Sequence, residues 1–238
     1  RIMKQGLKDL FKMMISMPKT SKQVKRLQSK EYPVKNILDI IASDDNTHTI
    51  VYTSPEFQPC SETFSEKYAF VGPSIRSANE EIEKKRDKLI YISMGTVNND
   101  MMPFYKACIS ALRDTDYQVI MSVGNLVSIE DFGELPENIL IYPYVDQIAV
   151  LKKADVFVSH CGMNSVNESL YYEVPLVTYP QTSEQGGVAT RVEMLGAGER
   201  LLKTNPGNIR ETVEKVMSNS VYKKKKKKIS EGFKNCSG

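Results

Sequence analysis

Apolar residues recur along this chain in two rhythms. Short runs rich in β-branched and aromatic residues fall at 49–53 (TIVYT), 69–71 (AFV), 89–94 (LIYISM), 118–123, 139–141, 155–159 (DVFVS) and 176–179. Bounded by turn formers, they predict buried strands. Between the later runs the apolar spacing becomes helical. Residues 103–112 bring Phe104, Ala107, Cys108 and Leu112 to one side, and 146–153, 165–172, 188–195, 206–217 and 221–235 read as further helices, with Gly196 and Gly198 terminating the helix at 188–195. Strands alternate with helices from 89 to 202, which predicts an α/β unit: a Rossmann-like parallel sheet flanked by helices, joined by right-handed crossovers. Ahead of it the pattern differs. Met3, Leu7, Leu10, Phe11 and Met14 face Lys4, Lys8 and Lys12 across an amphipathic helix expected over 2–16 and ended by Pro18, followed by a short helix over 22–29. Residues 54–68 form a polar loop, and 80–88 (EEIEKKRDK) a charged helix or linker.

Composition adds exclusions. The 238 residues are 41% hydrophobic and 26% charged, the balance of an ordinary globular protein, with no apolar run of bilayer length. The start has neither an initiator Met nor a signal-peptide core, so a fragment or processed piece is expected. Cys60, Cys108, Cys161 and Cys236 are scattered without a C-x-x-C pair, which favours reduced thiols and a cytoplasmic setting over disulfides or zinc. Residues 1–35 carry +8 and Lys223 to Lys228 add +6, so with a total of +3 the body between them is acidic, at −11. An acidic body argues against nucleic-acid binding. The basic ends read as solvated helix faces, with contact to an acidic membrane surface as the sharper alternative. There is no G-x-S-x-G, no Walker A lysine motif and no G-x-G-x-x-G after the first sheet strand, which sets aside hydrolase, NTPase and NAD chemistry. Asp114-Thr115-Asp116 matches D-x-D, but it precedes a strand and reads as a turn, so no metal is expected.

Candidate chemistry concentrates between Asp155 and Gln185. A strand at 155–159 runs into His160, Cys161 and Gly162. Asn164 and Ser165 are helix-start residues, and Glu168, three after Ser165, completes an S-x-x-E capping box. After the next strand comes a loop containing Glu184, Gln185, Gly186 and Gly187. Open α/β sheets collect ligands at the carboxyl ends of their strands, and a helix amino terminus there favours an anion. Glycine permits close approach of the backbone to a phosphate. The pattern therefore supports a phosphate pocket with His160 as donor, Glu168 accepting from a ribose, and Ser93 or Thr96, in the turn after 89–94, within reach of a phosphate. In the plainer alternative Glu168 only completes the capping box and His160 only bonds a neighbouring carbonyl.

The stretch HCGMNSVNESLYYEVPLVTYPQTSEQ resembles the donor-binding signature of the UDP-glycosyltransferase superfamily, in particular the bacterial macrolide-glycosyltransferase-like enzymes, and the likeness extends from about Phe70 to about Asn235. The resemblance implies the carboxyl-terminal half of a two-domain GT-B fold. Residues 1–74 would be a remnant of the acceptor-side domain and linker, and 75–238 the nucleotide-sugar domain, with the boundary near 73–79. It implies inverting, metal-independent transfer of a hexose from a UDP-sugar to a hydroxyl of a small-molecule acceptor, with the UDP-sugar as co-substrate and no other cofactor. Tyr144 would stack on uracil and Gln147 lie near the nucleoside, in a Y-V-D-Q stretch where the family has W-V-P-Q or Y-V-P-Q. Asp146 in place of proline is expected to loosen that loop. His160 would contact the diphosphate, Gly162, Asn164 and Ser165 cradle it, Glu168 bind the ribose, and Glu184 with Gln185 hold the sugar hydroxyls. Glu173 stands where the family has a glycine of positive φ, at an expected cost in stability. The family's catalytic base, a histidine early in the acceptor domain, has no counterpart here, and His48 lies in the wrong context to replace it. The alternative is a non-catalytic donor-binding subunit that pairs with a separate acceptor half, membrane-bound in some cases. A sugar-nucleotide epimerase would need carboxylates and a histidine with no evident positions. A face made for a missing domain is expected to promote self-association.

Overall fold

The computed structural model describes residues 18–32, 34–36, 39, 47–96 and 99–236, without the side chains at 220 and 223–226. Residues 18–28 are helical (α1), so the helix expected over 22–29 already includes Pro18 among the described residues. The amphipathic helix expected over 2–16 lies outside the described residues. Strands β1 (Thr49–Val51) and β2 (Tyr68–Phe70) pair in parallel as a small two-stranded sheet.

The main sheet holds six parallel strands: β3 (Lys88–Ser93), β4 (Tyr117–Ser122), β5 (Ile139–Tyr142), β6 (Val156–Ser159), β7 (Leu176–Thr178) and β8 (Gly198–Arg200). Their order is β5-β4-β3-β6-β7-β8. The chain steps outward from β3 to one edge, then returns to the other side of β3 and steps outward again. The reversal falls between β3 and β6, whose ends are level because Ser93 pairs with Ser159. A crevice opens at such a switch point, where the two connecting loops diverge.

Residue alternation within the buried strands builds two apolar layers. Ile90, Ile92, Val156 and Val158 pack with Phe104, Cys108 and Leu112 of α2 (Met102–Leu112) and Val213 and Val216 of α6 (Pro206–Ser218). Leu89, Tyr91 and Phe157 face the opposite way, toward Val166 and Leu170 of α4 (Met163–Tyr171), Val192 of α5 (Ser183–Met194) and Phe233 of α7 (Ser220–Asn235). Tyr91 and Phe157 stack with ring centroids 4.6 Å apart. A short helix, α3 (Gln147–Leu151), leads into β6.

The segment before the sheet is clasped by α5 and α7. Arg191 donates to the carbonyls of Phe57 at 2.6 Å and Glu56 at 2.8 Å, and Phe57 lies 6.1 Å from the Phe233 ring. Gly72, at φ +77°, leaves no room for a Cβ, which would meet the Phe233 carbonyl at 2.9 Å.

The charged stretch before β3 follows the linker alternative: residues 71–87 hold no helix or strand and form a strap, fastened by Lys84 to Asp155 at 2.7 Å and by reciprocal bonds between its main chain and the Gln118 amide. Two expectations need correction. The loop expected at 184–187 is the first part of α5, which starts five residues before Val188 because Thr182 and Gln185 form a capping box. Gly198, expected to end a helix, opens β8. It is glycine because a Cβ there would fall 2.2 Å from the Leu176 carbonyl of β7.

Candidate functional site

The carboxyl ends of β3, β4 and β6 surround a cavity of about 460 Å³ at the switch point. β3 ends in buried Ser93, whose hydroxyl accepts from the Gly95 N–H at 3.3 Å as the chain turns through φ +79°. β6 ends in His160. A Cβ on Gly95 would lie 2.6 Å from the ring's Cε1, and one on Gly162 would lie 2.6 Å from its Nε2. The imidazole therefore occupies a slot that exists only because both flanking turns carry glycine. Its Nδ1 is buried without a well-formed hydrogen bond. Burial lowers the His160 pKa below the ordinary histidine value, partly opposed by the Ser93 main chain, so the ring is neutral near pH 7. The next residue, Cys161, adopts φ +66°, a strained value away from glycine. Burial pushes its thiol up to about 12, which makes it inert as a nucleophile.

Helix α4 begins at Met163 with Gly162 as N-cap and no side-chain cap. The expected S-x-x-E capping box is therefore absent: Ser165 already lies within the first turn and its partner is elsewhere. The first N–H groups of α4 have no intrahelical acceptor, and Met163, Asn164 and Ser165 line the cavity. An uncapped helix start with a neutral imidazole beside it offers donors and a positive field to an anion.

Glu168, one turn further, accepts from the Gln147 amide at 2.5 Å, and the Ser165 hydroxyl accepts from the same nitrogen at 3.3 Å. The Tyr91 hydroxyl donates to the Gln147 carbonyl oxygen at 3.3 Å. Tyr144 presents its ring beside this network, 69% exposed. The expected loosening at Asp146 is overturned. Its carboxylate caps α3 by accepting from Ile148 N–H at 3.1 Å, and it also takes Asn79 N–H at 2.6 Å and an ion pair with Arg76 at 2.7 Å. Burial works against the Asp146 carboxylate, but Arg76 and the N–H groups of Asn79 and Ala149 outweigh it and hold its pKa at about 2. The loop is pinned by these bonds where a proline would stiffen it covalently.

The cavity thus gathers Ser93, Thr96, Tyr144, Gln147, His160, Gly162, Asn164, Ser165 and Glu168 of the expected residues. Glu184 and Gln185 lie outside it. Glu184 is exposed at the start of α5, and the Gln185 side chain accepts from Thr182 N–H at 3.2 Å in the capping box and from Gln181 N–H at 2.8 Å. Asp114-Thr115-Asp116 is a turn at the opposite edge of the sheet, before β4, where the Thr115 hydroxyl donates to the Leu112 carbonyl. Sequence reasoning missed Arg76, Tyr91, Ser122 and Gly124, which also line the cavity. The last two stand at the carboxyl end of β4, a position the strand pattern does mark. Arg76 sits in a strap without any motif. A second cavity of about 350 Å³ adjoins the first across Asn164 and Glu168, toward Tyr52, Ser74 and Asn167.

A family model described as UDP-glucoronosyl and UDP-glucosyl transferase matches residues 77–235. The chain is 38% identical over 212 residues to an uncharacterised UDP-glucosyltransferase, YojK, of Bacillus subtilis, covering 86% of this chain and 52% of that protein. It is 40% identical over 204 residues to the NDP-glycosyltransferase YjiC of Bacillus licheniformis, covering 82% and 50%. The crystal structure of CalG4, the calicheamicin glycosyltransferase, superposes with a TM-score of 0.80 at 28% identity, over 92% of this chain and 57% of that one. The chain spans about half the length of the curated relatives it matches.

Proposed function

The chain belongs to the UDP-glucoronosyl and UDP-glucosyl transferase family, and from that premise we propose that its switch-point cavity holds the nucleotide of a UDP-sugar during inverting transfer of a hexose to a hydroxyl of a small-molecule acceptor. The observation that carries this reading is the uncapped start of α4 beside the glycine-walled slot of His160. A departing UDP gains negative charge on its diphosphate. Fixed N–H dipoles at 163–165 and a neutral imidazole donor stabilise that charge without reorganising, which is electrostatic catalysis. No step in this scheme calls for a metal or a further cofactor.

Tyr144 gives the base a flat apolar face. Glu168 accepts from the ribose hydroxyls, which requires them to share or displace the Gln147 amide that now occupies it. Glu184 and Gln185 are assigned to the hexose hydroxyls on the family pattern and on their place just after β7, at the same edge of the sheet. The proposal divides the chain into an acceptor-side segment to residue 74 and a nucleotide-sugar unit from 75. Removal of the acceptor proton needs a base, and none is assigned among the described residues. Scattered thiols fit a cytoplasmic setting.

Calorimetric titration with UDP, TDP, ADP and NAD tests the reading. Saturable UDP binding that weakens about tenfold or more in His160→Ala, the loss of one hydrogen bond to a charged group, is expected. Absence of UDP binding, or binding indifferent to His160→Ala, would refute it.

A further inference from the structure

Arg76 supplies the one guanidinium or ammonium group among the described residues that line the main cavity. It belongs to the strap before β3 and is held by Asp146 and the Ser77 carbonyl. Its Nη2 lies 2.7 Å from Asp146 Oδ1, and its Nη1 donates to the Ser77 carbonyl at 3.3 Å. The Asp146 side chain is only 4% exposed, whereas that of Arg76 is 40% exposed. Asp146 cannot swing to follow a ligand, because Asn79 and Ile148 N–H groups fix its two oxygens. The guanidinium is therefore a positioned fork of donors on an immobile anchor, and Tyr144 and Glu168 lie within range of its charge.

That placement decides what the fork can read. A guanidinium carries five N–H donors and no acceptor, so the bonds to Asp146 and Ser77 leave others for a ligand. The ion pair is neutral as a unit, which reduces its pull on a phosphate while leaving its N–H groups directional. The anchor Asp146 lies two residues after Tyr144, whose exposed ring lines the same cavity as Arg76, whereas the anion-binding features, the start of α4 and the His160 slot, are built at the β3 and β6 ends. Uracil and thymine present a carbonyl oxygen at C4 where cytosine carries an amino group, so a guanidinium aimed at that position meets an acceptor in the first two and a donor in the third. We propose that Arg76 is a base-reading residue that favours oxo-pyrimidines over cytosine, with Asp146 as its positioning residue. This rests on the reading of the cavity as a pyrimidine-nucleotide site.

The test is titration of the full 238-residue chain and its variants with UDP, CDP and uridine. In Arg76→Met, UDP and uridine binding are expected to weaken by the same factor, about tenfold, with CDP unchanged, so the UDP-over-CDP preference collapses. Asp146→Asn keeps a capping side chain but frees the guanidinium. It should give a smaller loss of the same pattern, and the double variant should bind no more weakly than Arg76→Met alone. A cooperative thermal transition, at a lower midpoint because Asp146 loses its ion pair, together with a far-UV spectrum like that of the parent shows that Arg76→Met is folded at the titration temperature. Equal losses for UDP and CDP, a loss for UDP that uridine does not share, or no loss at all in Arg76→Met would overturn the role of Arg76 and leave the cavity assignment standing. A parent chain that binds neither UDP nor CDP would overturn both.

Discussion

Glu173 holds φ +59° at the turn between α4 and β7, a conformation that costs a side-chain-bearing residue energy and glycine little. Its contact with Lys234, at 4.0 Å between half-exposed groups, is too solvated to compensate. Glu173→Gly is expected to raise stability by about 1 kcal/mol in urea denaturation, and a loss of stability would contradict the strain. Burial gives His160 a pH signature. Its folded pKa is lowered, so its contribution is fully present above the unfolded value of about 6.5 and is lost as pH falls below it. Asp146 acts in a separate, lower window. Its folded pKa of about 2 lies below the ordinary aspartate value of 3.8, so its stabilisation is lost between pH 4 and 2. The parent should therefore lose melting temperature relative to His160→Gln between pH 7 and 5, and relative to Asp146→Asn only below pH 4. Placement was legible where a motif marks it: His160 and Gly162 line the cavity, and Glu173 takes the positive φ expected there. It was misread at Ser165, because S-x-x-E looks the same whether serine caps a helix or sits within its first turn. Arg76 and Asp146 find each other only in three dimensions, across a strap no pattern describes.

At the scale of elements, close approach explains the departures from the hydrophobic pattern. β8 is three residues long and begins with glycine, so neither length nor β-branched content announces it. The reason for that glycine is the Leu176 carbonyl, 2.2 Å from where a Cβ would stand. Gly198→Ala should force β7 and β8 apart and cost roughly 2 kcal/mol or more in thermal or urea unfolding, and a neutral substitution would contradict the packing. Residues 186 and 187 look like a loop because both are glycine, yet the T-x-x-Q signal at Thr182 and Gln185 starts a helix ahead of them, and Gly186 is buried within it. Apart from α5, the longer strands and helices fall within a residue or two of their expected bounds. β3, β4, α2 and β6 have a strong period and unambiguous turn residues on either side.

For the whole molecule, the alternation of strands and helices specifies a parallel α/β sheet but not the order of its strands. That order arises when the chain returns to the free side of β3, and it alone makes a cavity of two distant loops, the Ser93–Thr96 turn and the His160–Ser165 turn. The clasp of Arg191 and α7 on residues 56–58 was likewise invisible, since it joins positions more than a hundred residues apart. The account of function hangs on one placement: a nucleotide diphosphate at the uncapped start of α4. A crystal structure of the chain with UDP tests it most directly. The diphosphate is expected within about 3 Å of the N–H groups at 163–165 and of His160, with the base against Tyr144. A UDP molecule bound elsewhere, or a diphosphate in the cavity facing away from α4 and His160, would contradict it.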